Sequence, residues 1–191
     1  MKSNHTFANK CLSAVLTILM VALPFTLTGC GTPELIADIN VAQEVAQSAG
    51  NILSASNPEA GAKLEQAAVT LAELSKLVGQ YDAAVAAGKP GIATQIQAIT
   101  GTLTNNLSDI LATVRVKNPE LVEYITVAVA IGNSVVTTIL AHLPANAGTV
   151  QAQAAIVAQS QALPTVPFKS HKDLKNAWNN KVKAAYPGAK I

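Results

Sequence analysis

Thiols, imidazoles and closely spaced carboxylates are where chemistry would show in this chain of 191 residues, and the first two are scarce. A catalytic centre needs a nucleophile, an acid or base, and a group that binds developing charge. The thiols are Cys11 and Cys30. Beyond residue 30 the imidazoles are His142 and His171, near the ends of different predicted helices and in no recognisable motif. His142 suits the last turn of a helix, where an imidazole meets the negative end of the dipole. His171 reads as an exposed residue in a first turn. Glu120 and Glu123 lie one turn apart and could bind a cation. Without a nearby His or Cys they read better as the solvated start of a helix. The other Asp and Glu residues fit solvated helix faces. The chain has no Gly-x-Ser-x-Gly, no His-Glu-x-x-His, no phosphate loop and no paired-cysteine metal motif. The expectation is a protein with no catalytic, cofactor-binding or metal-binding residues.

Cys30 is different because of what precedes it. Lys2, His5 and Lys10 make a basic start, and residues 12–28 carry no charge. The apolar run is short and contains Pro24, which disfavours a stable spanning helix. Small residues follow. That order reads as an export signal, helical over about 9–28 in the precursor. Leu27-Thr28-Gly29-Cys30 resembles the lipobox of bacterial lipoprotein precursors at each position. The resemblance covers the first thirty residues. It implies a signal peptide over 1–29, cleavage before Cys30, lipid such as palmitate on the Cys30 thiol, and usually acylation of the new amino group. One acyl chain holds a protein marginally, at ~0.8 kcal/mol per buried methylene, whereas two or three make a lasting anchor. The resemblance also gives Gly31 a meaning. An Asp there would imply inner-membrane retention, and glycine implies transfer to the outer membrane, on its periplasmic side or at the cell surface. An ordinary secretory signal and a plain transmembrane anchor are the competing readings.

Cleavage would leave residues 30–191, enough chain for one domain with a core. With Cys11 removed and Cys30 lipidated, no disulfide framework is expected. Charge is divided. Residues 31–168 hold five basic and ten acidic side chains, and residues 169–191 hold six lysines and Asp173. The near-neutral total does not suit a nucleic-acid binder.

Four long helices are predicted from proline-based starts at Pro33, Pro58, Pro90 and Pro119. Thr32, Asn57 and Asn118 stand where a cap belongs, and Glu34, Glu59 and Glu120 suit the positive end of the dipole. The first helix, over about 33–55, carries Leu35, Ile39, Ala42, Val45, Ala49 and Ile52 on one face. The second, over about 58–87, carries Leu64, Ala67, Leu71, Leu74, Val78, Tyr81 and Val85. The third, over about 91–116, carries Ile92, Ile96, Ile99, Leu103, Leu107, Ile110 and Val114. Short connections favour antiparallel neighbours. Internal glycines at 50, 79, 101 and 132 fit close helix approach better than pockets.

The fourth helix, over about 119–143, is apolar most of the way round, so it is either core or a second membrane span. Asn133, Ser134, Thr137 and Thr138 favour core over residues 124–143. A fifth helix, over about 149–162, would turn Val150, Ala154 and Val157 inward and its glutamines to solvent or another chain. Pro164-Thr165-Val166-Pro167 makes a stiff extended connector. Ser170 and Asp173 offer a capping box to a last helix over about 171–186. Its stripe of Leu174, Ala177, Trp178, Val182 and Ala185 either docks on the acidic body or leaves Lys172, Lys175 and Lys183 to meet an anionic envelope surface or a protein partner.

The expected fold is all-α: an antiparallel bundle of four long helices over 30–163, with a short fifth helix, then the connector and basic helix over 164–191. The expected role is structural or binding, at the envelope membrane through lipid on Cys30. The rivals are a carrier of an apolar ligand between helices and a hydrolase of envelope polymers.

Overall fold

The structure is a computed structural model that describes residues 31–143 and 150–191. Cys30 and the helix expected over 9–28 lie outside those residues, as do Pro144 and Thr149. The described chain is helical throughout, without strands. Six helices form it: α1 (Thr32–Ser54), α2 (Pro58–Ala83), α3 (Lys89–Lys117), α4 (Val122–His142), α5 (Val150–Gln161) and α6 (His171–Val182). Short 3-10 turns, Pro119–Leu121 and Pro187–Ala189, precede α4 and follow α6.

Two helices form the hub. α1 packs on α2, α4, α6 and the Pro187–Ala189 turn, and α4 packs on α1, α3, α5 and α6. α4 is long and apolar enough to cross a membrane. Here it is core: Ile125, Val129, Ile131, Val136, Ile139 and Leu140 are all buried, as are Asn133, Ser134 and Thr138. Its hydroxyl side chains are accommodated inside the helix. Ser134 and Thr138 donate to the carbonyls of Ala130 and Ser134, one turn back. Thr137 departs from expectation and is exposed, bonded to the Asn133 carbonyl.

The starts differ from their expected chemistry in two cases. Asn57 caps α2, its Oδ1 accepting from the Ala60 N–H at 3.1 Å. Asn118 does not cap. Its Oδ1 accepts from Asn57 Nδ2 at 3.0 Å, so the two Asn-Pro starts are bonded to each other in the interior. Thr32 does not cap either, because α1 already includes it and Gly31 occupies the cap position. α2 ends at Ala83, four residues earlier than expected. Pro90 must sit in the first turn of α3, so the chain has to reverse over residues 84–88. Val85 is 77% exposed there as a result. α5 is turned about its axis relative to the predicted face. Ala154 is exposed, and the larger Ile156 is buried instead. Gln153 and Gln159 are not left to solvent, since they bond Gln97 and Asn105 of α3. α6 stops at Val182, so Ala185 falls beyond the helix and is exposed.

Close approach accounts for Gly101 and Gly132, whereas a Cβ on Gly50 or Gly79 would make ordinary contact at 3.4 and 3.7 Å. A Cβ on Gly132 of α4 would lie 3.2 Å from the Leu107 side chain of α3. The tightest site is one that periodicity does not single out. A Cβ on Gly61 of α2 would stand 2.9 Å from the Cα of Ser54, at the end of α1. Gly61→Ala gains about 1 kcal/mol of helix propensity. Forcing two backbones apart costs typically 1–3 kcal/mol. The expected net result is a lower melting temperature in a thermal unfolding scan. A variant at least as stable as the parent would show that the α1–α2 turn yields freely.

Candidate functional site

Residues 169–191 form a clasp across α1 and α4. A reciprocal capping box starts α6: Ser170 and Asp173 each bond the other's backbone region. Asp173 accepts from the N–H groups of Lys169 at 2.9 Å and Ser170 at 3.1 Å, and these bonds hold its carboxyl below the ordinary range, the Lys169 bond most of all. α6 then lays Leu174, Trp178 and Val182 into the shared core, each 0% exposed. Spacing of four residues puts all three on one face. Leu174, Trp178 and Val182 of the predicted stripe therefore dock on the body, Ala177 is half-buried and Ala185 stays outside.

Past α6 the chain is tied down by polar contacts. Trp178 Nε1 donates to the Ala189 carbonyl at 2.8 Å, and Ser48 Oγ of α1 donates to the same oxygen at 2.6 Å. Asn179 pairs with the Ile191 backbone through both its amide nitrogen and its oxygen, at 2.9 Å each. Tyr186 meets Tyr124 of α4 edge to face, with ring centroids 5.1 Å apart. Lys181 is half-buried, pairs with Glu123 and lies over the Tyr124 ring. That pairing, first by hydrogen bond and then by charge, holds the Glu123 carboxyl below its usual range. Of the tail lysines, Lys181 meets a carboxylate of the body. Lys172 and Lys183 are exposed and Lys175 is half-buried. Lys117 and Glu59 form another ion pair, at 3.9 Å on the surface.

Between α1 and residues 185–191 lies an open groove of about 760 Å³. Glu44, Gln47 and Asn51 line one side, and Tyr186, Pro187 and Lys190 line the other. Donors and acceptors flank one aromatic ring here, a surface suited to holding a polar ligand. Ser48 also lines it, with its hydroxyl engaged by the Ala189 carbonyl. Glu120, paired with Glu123 in the sequence, is exposed, and Glu123 is engaged by Lys181. Among the described residues no three His, Cys, Asp or Glu side chains converge as metal ligands would.

The connector is docked as well. Ser134 of α4 accepts from the Val166 N–H at 2.8 Å, and its one hydroxyl proton is shared between the Ala130 carbonyl at 2.8 Å and the Val166 carbonyl at 3.0 Å. Asn133 Nδ2 donates to the Ser160 carbonyl at 2.9 Å and reaches those of Leu163 and Pro164. Its Oδ1 is buried without a partner. The polar residues of α4 thus anchor the path that returns the chain to α6.

Asp38 is the group the expected solvated faces leave out. It is 1% exposed on α1, and neither carboxylate oxygen has a hydrogen-bond partner. Burial raises its pKa from 3.8 to about 6. His171 on α6 works against that rise, and Glu34 and Asp173 add to it. The signal for its burial was present in the 3-4-3-4 spacing of Leu35, Asp38, Ala42, Val45 and Ala49. Asp38 does not line the groove. Comparison with protein-family models, with curated proteins and with solved structures finds no match for this chain.

Proposed function

We propose that this is a lipid-anchored protein of the cell envelope, with a binding or structural role and no chemistry of its own. In this reading its four long helices form an antiparallel bundle. The short links between α1, α2, α3 and α4, and the packing of each on the next, support that arrangement. The observation that carries the anchor is Leu27-Thr28-Gly29-Cys30 followed almost at once by α1 at Thr32. Only Gly31 would separate the lipidated residue from a rigid helix. The start of α1 would then be held at the membrane. Glu44 lies twelve residues further on, about 18 Å along the axis at 1.5 Å per residue. The groove would face away from the bilayer, toward whatever the envelope places opposite. A clasped surface held at fixed height suits binding or spacing, with the outer membrane as its site. Lys172 and Lys183 are exposed beside the clasp and offer ammonium groups to anionic envelope material.

The test is Cys30→Ala in a bacterial host. The variant is expected to lose labelled palmitate and to be recovered as an uncleaved or soluble form, while its purified body keeps a cooperative thermal transition. Palmitate incorporation and membrane fractionation unchanged by the substitution would refute the anchor.

A further inference from the structure

We propose that the docking of residues 169–191 is gated by a proton on Asp38: the clasp closes on the neutral carboxyl and loosens when the group ionises. The geometry is that of a charge site without charge partners. Asp38 is buried on α1, a helix on which α6 packs, and both its oxygens lack donors. A buried neutral carboxyl costs far less than a buried carboxylate left unpaired. The charged groups that act on Asp38 are Glu34 on α1, and His171 and Asp173 on α6. α2 and α4 also pack on α1, and they contribute none. The capping box fixes Asp173 as an anion at the start of α6. An ionised Asp38 therefore faces two carboxylates and one imidazole. Moving α6 away restores water to Asp38 and relieves that repulsion.

The sign follows from linkage. The docked pKa, about 6, lies above the ordinary 3.8. Docking is therefore favoured fully below 3.8, and that advantage is lost as pH rises through about 6. The consequence reaches the groove, because residues 185–191 are its far wall. Opening the clasp dismantles that wall and uncovers Leu174, Trp178 and Val182.

Hydrogen exchange on the whole chain tests this, with intrinsic rates corrected for pH. Between pH 4.5 and 7.5 the opening constant of the α6 amides and of the Trp178 indole N–H should rise roughly thirtyfold. Amides of α3 around Leu103 should remain more protected than those of α6 throughout. Asp38→Asn should flatten the α6 response. His171→Gln should move its midpoint to higher pH, since the imidazole favours the ionised carboxyl. The proposal is overturned if Asp38→Asn keeps the wild-type pH dependence. It is equally overturned if α6 opens only together with α3, which would mean that the clasp is not a separate unit.

Discussion

Ile131→Asp is expected to abolish the folded state. Ile131 is 0% exposed in α4, the helix shared by α1, α3, α5 and α6. Removing the side chain forfeits about 2–3 kcal/mol of apolar burial. The carboxylate then has to lie unpaired in the core, which costs several kcal/mol more, or take up a proton at comparable cost. The backbone has no slack to turn the new side chain outward. Gly132, the next residue, already sits so close to Leu107 that one added carbon would crowd it. A domain of this size has about 5–15 kcal/mol in hand, so the loss is a large part of the total. Circular dichroism should show no cooperative thermal transition, and the protein should be lost to proteolysis or aggregation. A melting temperature within a few degrees of the parent would mean that α4 is not the core of the protein in solution, and would revive the reading of residues 124–143 as a span.

That expectation was open to sequence reasoning because α4 is unusual in composition. A helix apolar on most sides has two destinations, and the hydroxyl and amide side chains at 133, 134, 137 and 138 point to protein rather than lipid, although Thr137 itself is exposed. The same method found one face of α1 and missed the others. The predicted stripe is Leu35, Ile39, Ala42, Val45, Ala49 and Ile52, but Ile52 is half-buried and α1 also buries Asp38, Val41, Ala46, Ser48 and Leu53. Periodicity describes a helix with one neighbour. It does not announce that α6, far along the chain, returns to cover a second side. The burial of Ser48 follows from that return and was not legible from local pattern alone; Asp38 sits in the spacing of the stripe itself, but a carboxylate is seldom buried and its charge argued for solvent. Helix ends were legible where proline and asparagine fix them, as at Asn57 and Pro58. They were not where alanines fill a reversal, as at residues 84–87, because alanine is content in a helix or out of it and burial decides. The groove was illegible for a different reason: its two walls are more than 130 positions apart in the chain.

Deletion of residues 169–191 is expected to lower the melting temperature by ten degrees or so, a figure set by balance rather than by contact alone. Leu174, Trp178 and Val182 are each fully buried, and burial of such side chains contributes about 1.5–3 kcal/mol apiece, with more for the indole. Against that, the deleted chain no longer has to be ordered, which offsets much of the burial gain, and Asp38 regains water. The uncovered apolar seam on α1 and α4 leaves a net loss of about 2–5 kcal/mol, the size of other large losses of buried contact. At 2–4 °C per kcal/mol for a chain of this length, that gives the expected shift. Trp178→Ala separates packing from entropy. It keeps the tail, deletes the one indole and its bond to the Ala189 carbonyl, and should cost about 3–5 kcal/mol by itself. If Trp178→Ala is as damaging as the whole deletion, the indole is the keystone of the clasp and the rest of the tail is held by it. Unchanged melting temperatures in both variants would show that residues 169–191 rest on the body without stabilising it. The lysines of that segment would then be its remaining claim to a role.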